Sequence, residues 1–322
     1  MEWGGIFDWA LFESVLRALT PVLLAALAGL LCTRVGVFNI GLEGLMLIGC
    51  FAAVAGSWFS GNAWMGVAAA VLAGMAMAGI LSYFSVTLGA DAIIVGIALN
   101  LLAVGLTSFL VRTVLGAQGT FQDPDLKGLP LIFSQSPLTY LSLALVPAFV
   151  FFLRRTVWGF RLQGVGEVPG AARSLGINTH LYQHMVVVAS GALCGLAGAQ
   201  LSLGNVVLFS DNMTAGRGWV AVVAVMLGQA APIGTLLAAL LFGVTDAVGV
   251  RLQGQGLPSQ FTTAAPYAIT LIALIAVSVR ARAVARHRAR GGPTSGRGGS
   301  PPTPLPSTSP VTSTAQGDTT HV

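Results

Sequence analysis

The sequence predicts an all-α fold, a polytopic transmembrane helical bundle of about nine spans. Three observations predict it. The 322 residues are 55% hydrophobic, and they carry only 16 Lys plus Arg and 11 Asp plus Glu. That charged fraction of 8% is a third of the usual ~25%. Apolar runs of about 20 residues, the length that crosses a ~30 Å hydrocarbon core as a helix, recur through the first 279 residues. Strand-like alternation over about ten residues, the mark of a membrane barrel, is missing, whereas Gly and Ala abound as they do at close helix contacts.

Taken in order, the predicted spans cover 15–32, 36–56, 63–88, 91–111, 137–153, 181–203, 216–230, 233–250 and 262–279. The first is retained as a helix, because Glu2, Asp8 and Glu13 replace the basic start of a secretory signal peptide. The second holds Gly36, Gly41 and Gly44 around Asn39 and Glu43, a composition that permits an opened helix. Between the fourth and fifth spans, residues 116–136 form the largest predicted external loop, with Gln118, Asp123, Asp125, Lys127 and Pro130. It reads equally as a solvated connector or a contact for an external partner. The sixth span carries Gly191-x-x-x-Gly195, a helix-packing pattern. The seventh is short for a crossing and ends near Pro232, which leaves a half-helix open.

Charge sets the expected orientation. Nine crossings put Arg34, Arg154, Arg155, Arg161, Arg173 and the six arginines from Arg280 to Arg297 on one side, against Arg17, Arg112, Lys127, Arg217 and Arg251 on the other. The richer side is cytoplasmic by the positive-inside rule, which places the C-terminus and the 154–180 loop inside the cell. The net charge of +5 is therefore an orientation signal, with no nucleic-acid partner implied. The chain divides into a transmembrane domain over 1–290 and a tail over 291–322, whose Pro, Ser, Thr and Gly content predicts disorder.

Catalytic motifs are not found. The single lysine, Lys127, follows Leu126, so no Gly-x-x-x-x-Gly-Lys phosphate loop exists and the chain is not an ATPase by itself. His180 and His184 have zinc-ligand spacing, but Leu181 stands where a catalytic Glu belongs and no third ligand is evident. No metal, no bound cofactor and no catalytic residue is expected. Cys32, Cys50 and Cys194 are odd in number and set in apolar runs, and read as packing residues.

Polar residues inside spans are the functional candidates, because desolvating them is costly. Asn39 and Glu43, four apart, are placed on one face of the second helix; Asn100 lies in the fourth span and Asp246 in the eighth. They line a polar path or bond helices together, and for each residue the two readings stand level. The loop core from Glu167 to Ile177 reads as a short helix begun by Pro169 and closed by Gly176. Its small residues Ala171 and Ala172 suit a groove on another protein.

The string TRVGVFNIGLEGLMLIG at 33–49 resembles the signature of permease subunits of ATP-binding-cassette importers in the branched-chain amino acid, ribose and nucleoside superfamily. ADAIIVGIALNLLAVGL (90–106), GVGEVPGAARSLGIN (164–178), SGALCGLAGAQ (190–200), GRGWVAVVAVMLGQAAPIGTLLAALLFG (216–243) and PYAITLIAL (266–274) resemble it in the same order. NIGLEG and the LNLLA block look most like the nucleoside and simple-sugar branch, nearest its purine-nucleoside permeases.

The resemblance implies a permease forming half of a translocation path for nucleosides in a bacterial inner membrane. Permeases for simple sugars or branched-chain amino acids are the alternative. It also implies partners: a cassette ATPase that binds the ATP, a second and paralogous permease subunit, and an extracytoplasmic binding protein or lipoprotein, with membrane lipid around the bundle. Glu167, Ala171, Ala172 and Gly176 match the loop that docks on the ATPase, although Gly170 departs from the charged or larger residue often found there. Asn39, Glu43 and Asn100 fall in motifs that line or border the path. Outside this family, an ion-coupled transporter using Glu43 and Asp246 is the chief competitor, and a structural membrane subunit is another.

Overall fold

The computed structural model describes residues 9–253. Ten α-helices and two short strands follow in order: α1 (Trp9–Arg34), α2 (Leu42–Ser60), α3 (Ala63–Ser82), α4 (Ala92–Val114), β1 (Thr120–Phe121), α5 (Pro137–Arg155), α6 (Val157–Glu167), α7 (Pro169–Ser174), α8 (Thr179–Ala199), β2 (Phe209–Ser210), α9 (Arg217–Leu227) and α10 (Pro232–Gln253). Among the described residues seven helices are long and apolar enough to cross a membrane: α1 to α5, α8 and α10. α3 and α8 each run on into a π-helical turn, Tyr83–Thr87 and Gln200–Val206. The predicted span at 262–279 and the tail at 291–322 lie outside the described residues.

Two predicted spans differ from what forms. The second helix begins at Leu42, not at residue 36; residues 35–41 are a non-helical link turned by Gly36 at φ +78°. The seventh is α9, only 11 residues long. At 1.5 Å per residue it covers about 16 Å, half of a ~30 Å core.

The segment containing α9 nonetheless runs from one end of the bundle to the other, as helix-end contacts show. At one end Arg34, which closes α1, donates from Nε to the Ala230 carbonyl at 2.8 Å, just before α10 begins. At the other end Asn205, after α8, donates to the Arg17 carbonyl at 3.3 Å, and Leu129 N donates to Leu203 O at 3.1 Å. Residues 207–231 join these ends. They do so through β2, which pairs antiparallel with β1 in the register Thr120 to Ser210 and Phe121 to Phe209, then through a run of turns over 211–216 and α9.

α1 is the axis of the bundle. Every residue from Leu19 to Cys32 is buried, and the helix packs against α8, α9 and α10. Glycine sets the closest approaches. A Cβ on Gly191 would strike the Gly74 carbonyl of α3, and one on Gly195 would strike that of Ala70. The small-residue pair of α8 is therefore a packing face, as its spacing predicts. The three cysteines are all buried, Cys32 and Cys194 in one hydrophobic cluster and Cys50 in a second.

Candidate functional site

The polar residues singled out in the sequence gather around two helix starts within the bundle, those of α2 and α9. An α-helix leaves its first four N–H groups without partners inside the helix, and in hydrocarbon water does not supply them. Side chains from elsewhere in the chain do so here. α2 opens on Gly41, which offers no side-chain cap. Asn39 Oδ1 accepts from Gly41 N at 2.8 Å, the two-residue turn that Asn side chains favour. Asn100, from α4, accepts from Gly44 N at 2.8 Å through Oδ1 and donates through Nδ2 to the Ile40 carbonyl at 3.1 Å.

Glu43 performs the same service for α9. Its Oε1 accepts from Gly216 N at 2.9 Å and its Oε2 from Gly218 N at 2.6 Å, across more than 170 residues of chain. Only 7% of the residue is exposed. The negative charge meets the positive end of the α9 dipole, where carboxylates are favoured. Glycine is required on the receiving side: Gly216 adopts φ +85°, and a Cβ on Gly218 would lie 2.5 Å from Glu43 Cα.

This geometry corrects one expectation. Asn39 lies in the link before α2, so it does not share a helical face with Glu43. The two hold successive breaks in the chain instead. Asp246 stands apart from them, on α10, with Oδ2 3.6 Å from Arg217 Nη2. Arg217 begins α9 and sits between the two glycines that Glu43 binds, so it links Asp246 to the cluster. Sequence reasoning missed Arg217 and both glycines as a unit. The Gly-Arg-Gly string at 216–218 is the signal that marks them.

His180 and His184 serve unlike purposes. His180 is exposed, while His184 has both ring nitrogens engaged by hydroxyls of the α3 end, Ser82 at 2.6 Å and Thr87 at 3.1 Å.

The predicted docking loop forms α6 and α7 at the Arg34 end, with Gly166 packed on the Arg34 carbonyl. α7 is six residues long, begun by Pro169 and followed by Gly176 at φ +76°. Its outer side carries Glu167, Ala171 and Gly176, flanked by the exposed apolar residues Val168 and Leu175. Ala172 is the exception among the four residues expected there. It is 4% exposed and belongs to the core of its own chain, so it is not available to a partner. A six-residue helix lying on a bundle has one inward side, and Ala172 fills it.

Residues 11–278 match the family described as branched-chain amino acid transport system permease component. The chain belongs to that family. It is accordingly a multi-pass membrane protein and a transport component. Among its relatives, a protein assigned as the glucose ABC transporter permease TsgC13 of Haloferax volcanii is 35% identical over 78% of this chain and 80% of its own. The guanosine ABC transporter permease protein NupQ of Bacillus subtilis is 34% identical over 82% of this chain and 90% of its own. A solved chain assigned to the metal-chelate type of ABC transporter, in an inward-facing conformation, shares the fold with a TM-score of 0.53. It is 18% identical and covers 82% of this chain and 85% of its own.

Proposed function

We propose that this permease forms half of a translocation path for nucleosides in an ATP-binding-cassette importer. The observation that carries the substrate class is the likeness to the guanosine permease, which spans 90% of that protein. The NIGLEG and LNLLA strings point the same way. A sugar substrate is the second reading, supported by the glucose-permease relative. Uptake of labelled guanosine and glucose, in cells with and without the gene, separates the two. Loss of guanosine uptake with glucose uptake intact is expected; the reverse pattern moves the assignment to sugars.

In this reading the chain does no chemistry. A cassette ATPase binds and hydrolyses the ATP, a second permease subunit supplies the other half of the path, and an extracytoplasmic binding protein delivers the solute. The α6–α7 loop receives the ATPase through Val168, Ala171 and Leu175. Asn39, Glu43 and Asn100 hold the helix breaks that border the path, while Arg217 and Asp246 supply charge beside it. Broken helices at a membrane-embedded site are a recurrent transporter device, because a break can move without unwinding a whole helix.

The Arg34 end is cytoplasmic in this proposal, in a bacterial inner membrane, on the positive-inside count. With the native cysteines removed, a membrane-impermeant thiol reagent on intact cells is expected to label Gln122→Cys, beside β1, and to spare Ser307→Cys in the tail. Labelling at 307 would reverse the C-terminal assignment.

A further inference from the structure

A cavity of about 510 Å³ opens at the Arg34 end between α1, α3, α5, α6 and α8. That size lies within the ~300–1,000 Å³ of ordinary ligand pockets. Its wall is apolar, with Phe149 and Phe152 from α5, Trp158 from α6, and Tyr182, Ala189 and Leu193 from α8. Such a wall offers a solute such as a nucleoside no polar partners. It does suit an acyl chain, and most of its lining comes from α1, α3, α5 and α8, helices long and apolar enough to cross a membrane.

Arginines follow the lining residues along α5 and α6. Trp158 and Tyr182 meet at a ring-centroid distance of 5.3 Å, and such amphipathic aromatics collect at the hydrocarbon–water boundary. Gln163 Nε2 donates to the Leu153 carbonyl at 2.7 Å, which folds α6 back onto the end of α5 and fixes the corner between them. Arg154, Arg155 and Arg161 lie on that corner. All three are exposed, and none has a side-chain hydrogen bond or ion pair among the described residues. By helical spacing Arg155 follows Phe152 on one face of α5, and Arg161 follows Trp158 on one face of α6.

We infer that this corner is a binding site for an anionic phospholipid, one acyl chain entering the cavity and the phosphate resting on Arg155 and Arg161. Charge complementarity selects this occupant: a neutral lipid leaves the arginines without a counterion, and an apolar protein face leaves them desolvated. The inference does not depend on the transported solute.

Quenching of Trp158 fluorescence tests it, with the full-length protein in phosphatidylcholine nanodiscs and Trp158→Phe supplying the difference signal. Trace brominated phosphatidylglycerol is expected to quench more strongly than trace brominated phosphatidylcholine. Arg155→Gln and Arg161→Gln should each reduce that preference about fivefold, and high salt should weaken it in the unaltered protein. Ala189→Phe, which fills the cavity, should lower quenching by both lipids. Equal quenching by the two lipids in the unaltered protein would overturn the site. So would a preference that survives both arginine changes, or Trp158 shielded from either lipid, which would mean that a protein face covers the corner.

Discussion

Glu43→Leu is expected to abolish uptake and to lower the thermal stability of the purified permease, and Glu43→Gln to do so in part. Among the described residues the carboxylate is the sole acceptor for Gly216 N and Gly218 N, at 2.9 and 2.6 Å. Hydrogen bonds to a charged group contribute about 1.5–3 kcal/mol, and a buried donor left without a partner costs about 1–3 kcal/mol. Leucine orphans both donors, of which Gly218 N is buried and Gly216 N partly buried, and removes the charge at the α9 dipole. For two donors the cost is about 2–6 kcal/mol. Glutamine keeps one carbonyl oxygen, so one donor stays satisfied while its NH₂ faces the other; roughly half the loss follows. A gain of stability in Glu43→Leu, or full uptake at normal expression, would show that the carboxylate neither holds α9 nor serves the path. Glu2→Gln is the control, with no effect expected.

The same residue shows where the sequence was legible and where it was not. Apolar runs mark, at nearly the right positions, the seven helices among the described residues that are long and apolar enough to cross a membrane, because a span must repeat the same physics over some twenty residues. Glu43 itself stood out, because charge within such a run is costly. Its partners did not stand out. Gly216 and Gly218 are over 170 residues away, and a backbone N–H carries no trace in the sequence of what it will bond. The placing of Asn39 on the α2 face failed for a local reason. Helical periodicity continues through 36–56, yet Gly36 turns the chain at φ +78° and Asn39 closes a turn on Gly41, so helix starts only at Leu42. Its shortness and its end near Pro232 mark α9 as a candidate half-helix. That the rest of the segment is made by β2 and a run of turns over 211–216 depends on pairing with β1, which a two-residue strand does not announce. Ala171 and Ala172 were equal candidates for the partner-facing side, because over six residues the inward direction is set by the bundle beneath and not by a repeat.

That last distinction fixes how coupling to the ATPase is tested. Ala172→Glu is the wrong variant: at 4% exposure it would bury a charge in the permease's own core, and a loss of partner would be indistinguishable from a loss of fold. Ala171→Glu is the informative one. Ala171 is exposed between Val168 and Leu175, which are 57% and 80% exposed, so the change should alter folding stability by no more than about 0.5 kcal/mol. Seated in a groove, the same side chain meets overpacking of about 1–3 kcal/mol, and an unpaired desolvated carboxylate adds to it. A total near 3 kcal/mol lowers association about a hundredfold, since 1.4 kcal/mol is tenfold. Co-purification of the ATPase with Ala171→Glu permease, measured beside uptake, is therefore expected to show normal permease with the ATPase largely lost and transport with it. Ala171→Ser, close in volume and uncharged, should retain both. Full recovery of the ATPase with normal uptake in Ala171→Glu would take the coupling role away from α7 and move it to another surface of the permease.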